Sequence, residues 1–439
     1  MRQDLQDETP VAVAHVEIAI DPAAAAAPLI PLPQLSLQWQ RFFETRPHLS
    51  TDPSAAPPAL RATCASMSIH IDDDDKDVLS VSTNDCRVVV HTFILSTEPV
   101  QMEELEPTAG DDEWTAACEN LALPHASLQG QWESLVFEGP VKANLLQFAK
   151  SALLFADLAV SGSLVHWNRL LLFHGPPGTG KTSLCRALAQ KLSIRMSARF
   201  PRAALLEIHS HSLFSKWFST SGKLISRLFQ LVADMVQDDP DCLICVLMDE
   251  IESLARSRAG LSASGEPSDA LRAVNSLLTS LDRLRGFPNV LIFANTNLTA
   301  SVDVAFLDRA DMKVYIGLPC HQARHEILQS CLVELVRVGI IIGAVPKQGG
   351  GNNDQESFRL RPFHQASLEP TESCSGVLYL LAKKAEGMSG RSLRRLPLQT
   401  HALFVRRENS VSMNDFLVAL GKAIANEITS TQQVNSSKA

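Results

Sequence analysis

The sequence predicts an α/β chain: a parallel sheet covered on both faces, with a smaller α/β domain before it and a helical domain after it. Three observations carry this. From about residue 130, five apolar runs (NRLLLFHG, LLEIHS, CLICVLMDE, NVLIFANTN and MKVYIG) alternate with helical stretches. Runs that are apolar on both faces suit the strands of a buried parallel sheet. The glycine-rich segment GPPGTGKT follows the first run and opens the helical stretch KTSLCRALAQKL. After Pro319 the pattern turns helical, through HQARHEILQSCLVELV, SGVLYLLAKKAEG and NDFLVALGKAIANEI.

The other elements follow in chain order. VAVAHVEIAI (11–20) and RVVVHTFIL (87–95) read as strands of the first domain, being β-branched and partly alternating. The Ala- and Pro-rich stretches between them read as loops or short helices. DDDDK, Asp72 to Lys76, reads as a solvated charged turn. The acidic EPVQMEELEPTAGDDE (98–113) reads as a linker, and QGGGNNDQES (348–357) as a flexible loop. The expected division is an N-terminal domain 1–105, a linker 106–129, a large domain 130–319, a small helical domain 320–430 and a polar tail 431–439.

Composition sets limits on function. At 439 residues, 45% hydrophobic and 20% charged, the chain has ordinary globular composition and room for two or three domains. A formal net charge of −9 argues against a broad nucleic-acid surface. Nine cysteines without framework spacing suit a reducing compartment. The CxxC at Cys242 and Cys245 lies inside an apolar run and reads as buried strand, not as a redox or zinc site. The start, MRQDLQDE, carries acids where a secretory signal needs a basic and then an apolar stretch. No run of 18 apolar residues occurs, so no membrane span is expected.

GPPGTGKT, Gly175 to Thr182, fits the pattern G-x-x-x-x-G-K-[ST]. A polyphosphate needs backbone N–H groups that converge on it, and glycines permit that approach. The candidate nucleotide residues are Gly175, Pro176, Pro177, Gly178, Thr179, Gly180, Lys181, Thr182 and Ser183. Lys181 would bridge the β- and γ-phosphates of ATP, and Thr182 would hold Mg²⁺. Asp249-Glu250, at the end of CLICVLMDE, places one carboxylate for the metal and a second to polarise a water. Asn297 ends another strand and could orient that water; Asn295, two residues earlier, is a competing candidate. Arg309, in AFLDRADMK, would offset charge developing on a neighbouring protomer's γ-phosphate. Arg391, at a helix start in GMSGRSLRRL, is a further candidate for reading the nucleotide. His209 and His211 form a lone H-x-H pair, short of the ligands zinc requires, and read as structural.

These stretches, with HSLFSKWFSTSGKL, EPSDALRAVNSLL and GMSGRSLRRLPLQTHAL, resemble in order those of the AAA+ ATPases, and within them the pachytene checkpoint protein 2 / thyroid hormone receptor interactor 13 family. The likeness is close from about Gly130 to Ala402 and looser before that. It implies a P-loop AAA+ αβα ATPase domain, a helical lid and an N-terminal α/β domain that engages substrate or adaptor, assembled as a homo-hexamer. It assigns Asp249 and Glu250 to metal and water, Asn297 to the first sensor, Arg309 to the trans-acting finger and Arg391 to the second sensor. Asp311-Met312-Lys313 stands where many relatives carry a second arginine, leaving Arg309 as the finger. The implied clients are HORMA-domain proteins of the spindle checkpoint and the meiotic chromosome axis, reached directly or through an adaptor HORMA protein, in the nucleus and cytoplasm.

The resemblance also gives FSKWFSTSGK a task. Trp217 and Phe218 are adjacent, so they cannot share one face, yet they sit on a polar stretch. As a pore loop they would grip an extended polypeptide through apolar area held at low rotamer cost. Lys216 and Gly222 would keep the loop solvated and mobile. Two other classes compete: an AAA+ motor on nucleic acid, disfavoured by the acidic balance, and a nucleotide-switched scaffold, disfavoured by intact Lys181, Glu250 and Arg309.

Overall fold

A computed structural model describes residues 12–21, 31–71, 74–77, 80–82, 86–105, 115–209, 221–255, 267–342, 360–370, 373–406 and 410–436. The chain forms two compact units. One comprises Met1–Glu133, Pro140–His174 and Thr182–Tyr315; the other comprises Ser134–Gly139, Gly175–Lys181 and Ile316–Ala439.

The first unit begins with strand β1, Ala12–Ile20. Its alternation gives it two different faces. Ala14, Val16, Ile18 and Ile20 point into an apolar core with Leu35, Trp39 and Phe43 of helix α1, Leu32–Glu44. Their spacing of four along α1 is the helical signature of one buried stripe. His15 and Glu17 lie on the other face, by strand period, and are buried as well. A short antiparallel pair joins β2, His48–Ser50, to β5, Ser80–Ser82. Strand β1 pairs antiparallel with β3, Cys64–Ile71, and parallel with β6, Cys86–Phe93. Strand β4, Asp74–Asp77, completes the order β4-β3-β1-β6, so these residues of the expected charged turn form a strand instead. The edge strand β6 is covered by α1. The Gln40 side chain donates to the Val88 carbonyl at 2.8 Å and accepts from the Val90 N–H at 3.1 Å. It thereby takes the place of a neighbouring strand, which blunts an edge that could pair with another chain.

The large sheet has seven strands. Its outer pair are β7, Gln101–Leu105, and β8, Thr115–Leu123, joined antiparallel. The expected linker therefore gives part of its length to the sheet, because its alternating residues extend the ladder onto β10. A one-turn helix α2, Gln131–Ser134, and helix α3, Val141–Asp157, precede the five parallel strands. These alternate as β9, Leu170–His174; α4, Lys181–Arg195; β10, Arg202–His209; α5, Ser221–Asp238; β11, Cys242–Asp249. There follow α6, Ile251–Leu254; α7, Pro267–Leu284; β12, Val290–Thr296; α8, Val304–Leu307; β13, Met312–Tyr315. The strand order is β13-β9-β12-β11-β10-β8-β7. Leu170 and Leu172 join the core built with α5 and α7, while Leu171 and Phe173 are buried on the opposite face. Both faces are thus covered, as the unbroken apolar runs predict. All nine cysteines are free; Cys242 and Cys245 lie on β11, where burial pushes the Cys242 thiol up to about 11.

The second unit packs helices α9, His321–Arg337; α10, Cys374–Lys384; α11, Gly390–Thr400; and α12, Met413–Ser436, around Leu328, Leu378, Leu393 and Phe416. Helix α12 runs into the residues expected as a polar tail. No described helix is long and apolar enough to cross a membrane.

Candidate nucleotide site

The candidate residues divide between the two units. In the second unit the Gly175–Lys181 loop shows why its glycines are required. Gly175 has φ +143°, and a Cβ there would lie 2.2 Å from the Ile316 carbonyl oxygen. Gly178 has φ +75°, and its Cβ would meet Ser389 Oγ at 3.0 Å and Arg391 Cβ at 3.2 Å. Gly180 has φ +98°. Left-handed backbone of this kind is open to glycine and strained for other residues. The Arg391 N–H donates to the Gly178 carbonyl at 3.0 Å, so the start of α11 lies against the loop. Ser389 caps that helix through the Ser392 N–H. The Lys181 ammonium is buried and donates to the Gly175 and Pro176 carbonyls at 2.9 and 2.8 Å. Thr179 Oγ1 donates to the Pro176 carbonyl at 3.0 Å, and Pro177 is exposed. A cradle that side chains would fill, with an ammonium folded onto it, fits a polyphosphate.

In the first unit Thr182, Asp249 and Asn295 come together at the carboxyl ends of β11 and β12, the end of a parallel sheet where ligands bind. Thr182 Oγ1 donates to Asp249 Oδ2 at 2.7 Å, and Asn295 Nδ2 donates to Thr182 Oγ1 at 3.4 Å. The Cys185 thiol donates to Asn295 Oδ1 at 3.2 Å, and burial pushes that thiol up. A hydroxyl paired to a carboxylate is a donor set of hard oxygens, which suits Mg²⁺. Ser183 is half-buried beside Thr182 in α4. Glu250 adopts φ 53° and ψ 48°, left-handed for a residue with a Cβ, at the turn from β11 into α6. Such strain is costly and persists where the surroundings over-determine it. The Glu250 N–H donates to Asp249 Oδ1 at 3.0 Å.

Asn297 lies one residue past β12, where its N–H donates to Glu252 Oε1 at 3.3 Å. Asn295, by contrast, is fully buried within the strand. Arg309 is clamped inside its own subunit. Its Nε and Nη2 donate to the Asp282 carboxylate at 2.8 Å each, and Nη1 donates to the Ala305 carbonyl at 2.9 Å. The hydrogen bond from Arg309 holds the Asp282 carboxyl below its usual range. Asp311 accepts from the Asn168 and Leu170 N–H groups, pinning β13 to β9. Lys216, Trp217, Phe218 and His211 lie outside the described residues. Gly222 is a correction: it sits in the first turn of α5 instead of a mobile loop, and its carbonyl accepts from Ser276 Oγ at 2.8 Å.

One cluster has no counterpart in the sequence expectations. Lys191 Nζ, on α4, lies 2.5 Å from Glu17 Oε2, 2.8 Å from Glu133 Oε1 and 2.9 Å from His70 Nε2, and Arg195 Nε lies 3.0 Å from Glu17 Oε1. Burial alone would raise the Glu17 carboxyl, but Lys191, Arg195 and His70 outweigh it and hold the group far below its ordinary value. Glu17, His70 and Glu133 bring three possible metal ligands within 4.8 Å of one another. The lysine ammonium already contacts all three, so the cluster is closed by a side-chain cation and does not fit a divalent ion. Histidine and glutamate inside an otherwise apolar strand, HVEIAI, were the signal available in the sequence.

Comparisons with known proteins agree with this geometry. Residues 171–318 match the family described as "ATPase family associated with various cellular activities (AAA)". Residues 320–428 match "TRIP13-like, AAA+ ATPase lid C-terminal domain". A pachytene checkpoint protein 2 homolog of Oryza sativa subsp. indica is 45% identical over 351 residues, covering 79% of this chain and 72% of the relative. The Homo sapiens homolog is 44% identical, covering 80% of this chain and 78% of the relative. The solved structure of C. elegans PCH-2 superposes with a TM-score of 0.72 at 27% identity, covering 95% of this chain and 99% of that one. A chain of the E. coli MS115-1 HORMA:CdnC:Trip13 complex shares the fold, with a TM-score of 0.51 at 16% identity over 69% of this chain and 94% of that one. By these matches the chain belongs to the pachytene checkpoint protein 2 family of AAA ATPases.

Proposed function

We propose that this AAA ATPase is a homo-hexameric protein remodeller that threads and partly unfolds HORMA-domain proteins, directly or through an adaptor HORMA protein. Family membership carries the reading, above all the lid match over residues 320–428. The E. coli relative supports the client class, since its structure is described as a complex containing a HORMA protein. Nuclear and cytoplasmic residence follows from that client class.

When bound, ATP with Mg²⁺ supplies a phosphoanhydride bond whose hydrolysis releases the free energy for mechanical work. The chain's own residues bind, orient and protect that chemistry. Loop N–H groups freed by Gly175, Gly178 and Gly180 hold phosphate oxygens, and Lys181 neutralises them. Thr182 and Asp249, joined at 2.7 Å, would hold the metal. Glu250 accepts the proton of the attacking water. Asn297 orients that water in preference to Asn295, whose side-chain amide is engaged by Thr182 and Cys185. Arg309 serves a neighbouring protomer's γ-phosphate, and Arg391 reads the nucleotide from the lid. Lys216, Trp217 and Phe218 grip the threaded polypeptide.

The test is a remodelling assay on a HORMA-domain client, read by client conformation with and without ATP. Glu250→Gln is expected to retain nucleotide without turnover. Trp217→Ala is expected to hydrolyse ATP and leave the client unchanged. Client conversion at the wild-type rate by Trp217→Ala would overturn the threading mechanism, and salt-sensitive DNA binding would favour a motor on nucleic acid.

A further inference from the structure

Glu252, the next acidic residue beyond Glu250, has unusual surroundings. Glu252 lies on α6, two residues beyond the left-handed turn at Glu250. Its Oε1 accepts from the Asn297 backbone N–H at 3.3 Å. Its Oε2 is buried and has no hydrogen-bond partner among the described residues. A buried carboxylate oxygen left unpaired is unfavourable, so such a group is retained where its other oxygen does something the fold needs.

That need is visible at the end of β12. Among the described residues the strand's ladder stops at Thr296, and Asn297 and Leu298 lie just beyond it. Two side chains take over. Thr296 Oγ1 accepts from the Leu298 N–H at 3.0 Å, and Glu252 accepts from the Asn297 N–H. Helix α6 packs against β12, so the acceptor for Asn297 is mounted on the same short segment that begins with Glu250.

We propose that Glu252 is a positioning residue for ATP hydrolysis. It fixes the Asn297 backbone to the Glu250 turn, so that the group orienting the water and the group polarising it move as one frame. The proposal deepens the hydrolytic reading above and rests on the roles given there to Asn297 and Glu250. What the frame requires of residue 252 is an acceptor at full side-chain length, not a negative charge. Glutamine supplies the same carbonyl at the same reach, aspartate falls one methylene short, and alanine supplies nothing.

The experiment compares Glu252→Ala, Glu252→Gln, Glu252→Asp and Asn297→Ala in the full chain. It measures kcat and KM for ATP, the Kd of a fluorescent ADP analogue, and thermal unfolding. Glu252→Ala is expected to lower kcat about tenfold, the scale of one lost hydrogen bond, with KM and Kd within about twofold of wild type. Glu252→Asp should lose kcat likewise, and Glu252→Gln should stay within about twofold of wild type. In the double variant Glu252→Ala/Asn297→Ala, kcat should fall no lower than in Asn297→Ala alone. If Glu252→Gln loses as much kcat as Glu252→Ala, residue 252 acts through its charge and the proposal is wrong. A rise in KM and Kd instead of a fall in kcat also overturns it. Should the alanine variant not fold, the Asp and Gln pair decides the matter alone. Full turnover by Asn297→Ala removes the underlying reading of Asn297, whereas an impaired Asn297→Ala beside an unimpaired Glu252→Ala removes only the proposal.

Discussion

Glu17→Gln should destabilise the first unit far more than a surface change of the same kind. The Glu17 side chain is 3% exposed, and its partners Lys191 and Arg195 are 4% and 3% exposed. Glutamine keeps the shape and removes the charge. Lys191 would keep Glu133, which is itself 27% exposed, and Arg195 would lose the carboxylate 3.0 Å from its Nε. Breaking a buried pair by removing one partner costs roughly 3–5 kcal/mol, because the remaining charge stays desolvated. At about 2–4 °C per kcal/mol for a body of this size, the melting temperature should fall by on the order of 10 °C.

The pH dependence has a defined sign. The Glu17 carboxyl is held below its ordinary value of 4.5 by neighbouring cations. Its contribution is therefore present above that value and disappears as acid protonates it in the folded protein. Wild type should lose stability below about pH 4.5, and the gap between wild type and Glu17→Gln should narrow there. Denaturant titrations at pH 7 and pH 4 measure both effects. Adding Lys191→Met should cost less in the Glu17→Gln background than in wild type, since the lysine has already lost one of its two anions. A Glu17→Gln variant within about 1 kcal/mol of wild type at pH 7 would refute the claim that this cluster is energetically coupled.

Two further predictions concern the second unit. Gly178→Ala places a methyl 3.0 Å from Ser389 Oγ on a backbone with φ +75°. It should cost roughly 1–2 kcal/mol in a melt and reduce nucleotide affinity, whereas unchanged affinity would mean the loop tolerates a Cβ there. His325 is fully buried beside Phe363, neither ring nitrogen has a partner among the described residues, and burial holds it down to about 4. A histidine held neutral in the fold loses stability as pH falls from 6.5 toward 4, by at most about 3 kcal/mol. His325→Leu should flatten that acid dependence of unfolding; an unchanged slope would exclude His325 as its source.

The parallel core was legible because each of its strands is apolar on both faces, a pattern that few structures other than a doubly covered sheet accommodate. The left-handed Gly175 and Gly178 and the meeting of Thr182 with Asp249 follow a signal of residue type and spacing, which phosphate and metal chemistry restricts. The sheet's outer strands were hidden. QMEEL, at the edge, and TAACENLAL, beside it, carry acids and polar residues, and such composition reads equally as linker. Helix α1 was obscured by its own Pro33, although Pro in the first turn is compatible with a helix. Partners separated by long stretches of chain could not be read at all. Nothing local links Glu17 to Lys191, Arg309 to Asp282 or Glu252 to Asn297, because side chains meet through the fold and leave no spacing behind.

Helix α4 shows how these separate features become one mechanical element. It opens with Lys181 and Thr182 and, ten residues after Lys181, carries Lys191 in the buried ion cluster. That separation is about 15 Å along a rigid helix. Its residues Leu184, Leu188 and Leu192 are fully buried, so the helix has little freedom to bend between its two ends. Strand β1 holds one end with an apolar face turned to α1 and a charged face turned to α4. The two faces respond differently to solvent: apolar burial is indifferent to pH and salt, whereas the charged face depends on protonation and counter-charge. Substitutions on the charged face of β1 should therefore reach the nucleotide residues through α4 while leaving the α1 core folded. Nucleotide affinity measured on Glu17→Gln, compared with Val16→Ala on the opposite face, separates the two routes. Loss of affinity in proportion to lost stability in both variants would show that α4 transmits nothing specific.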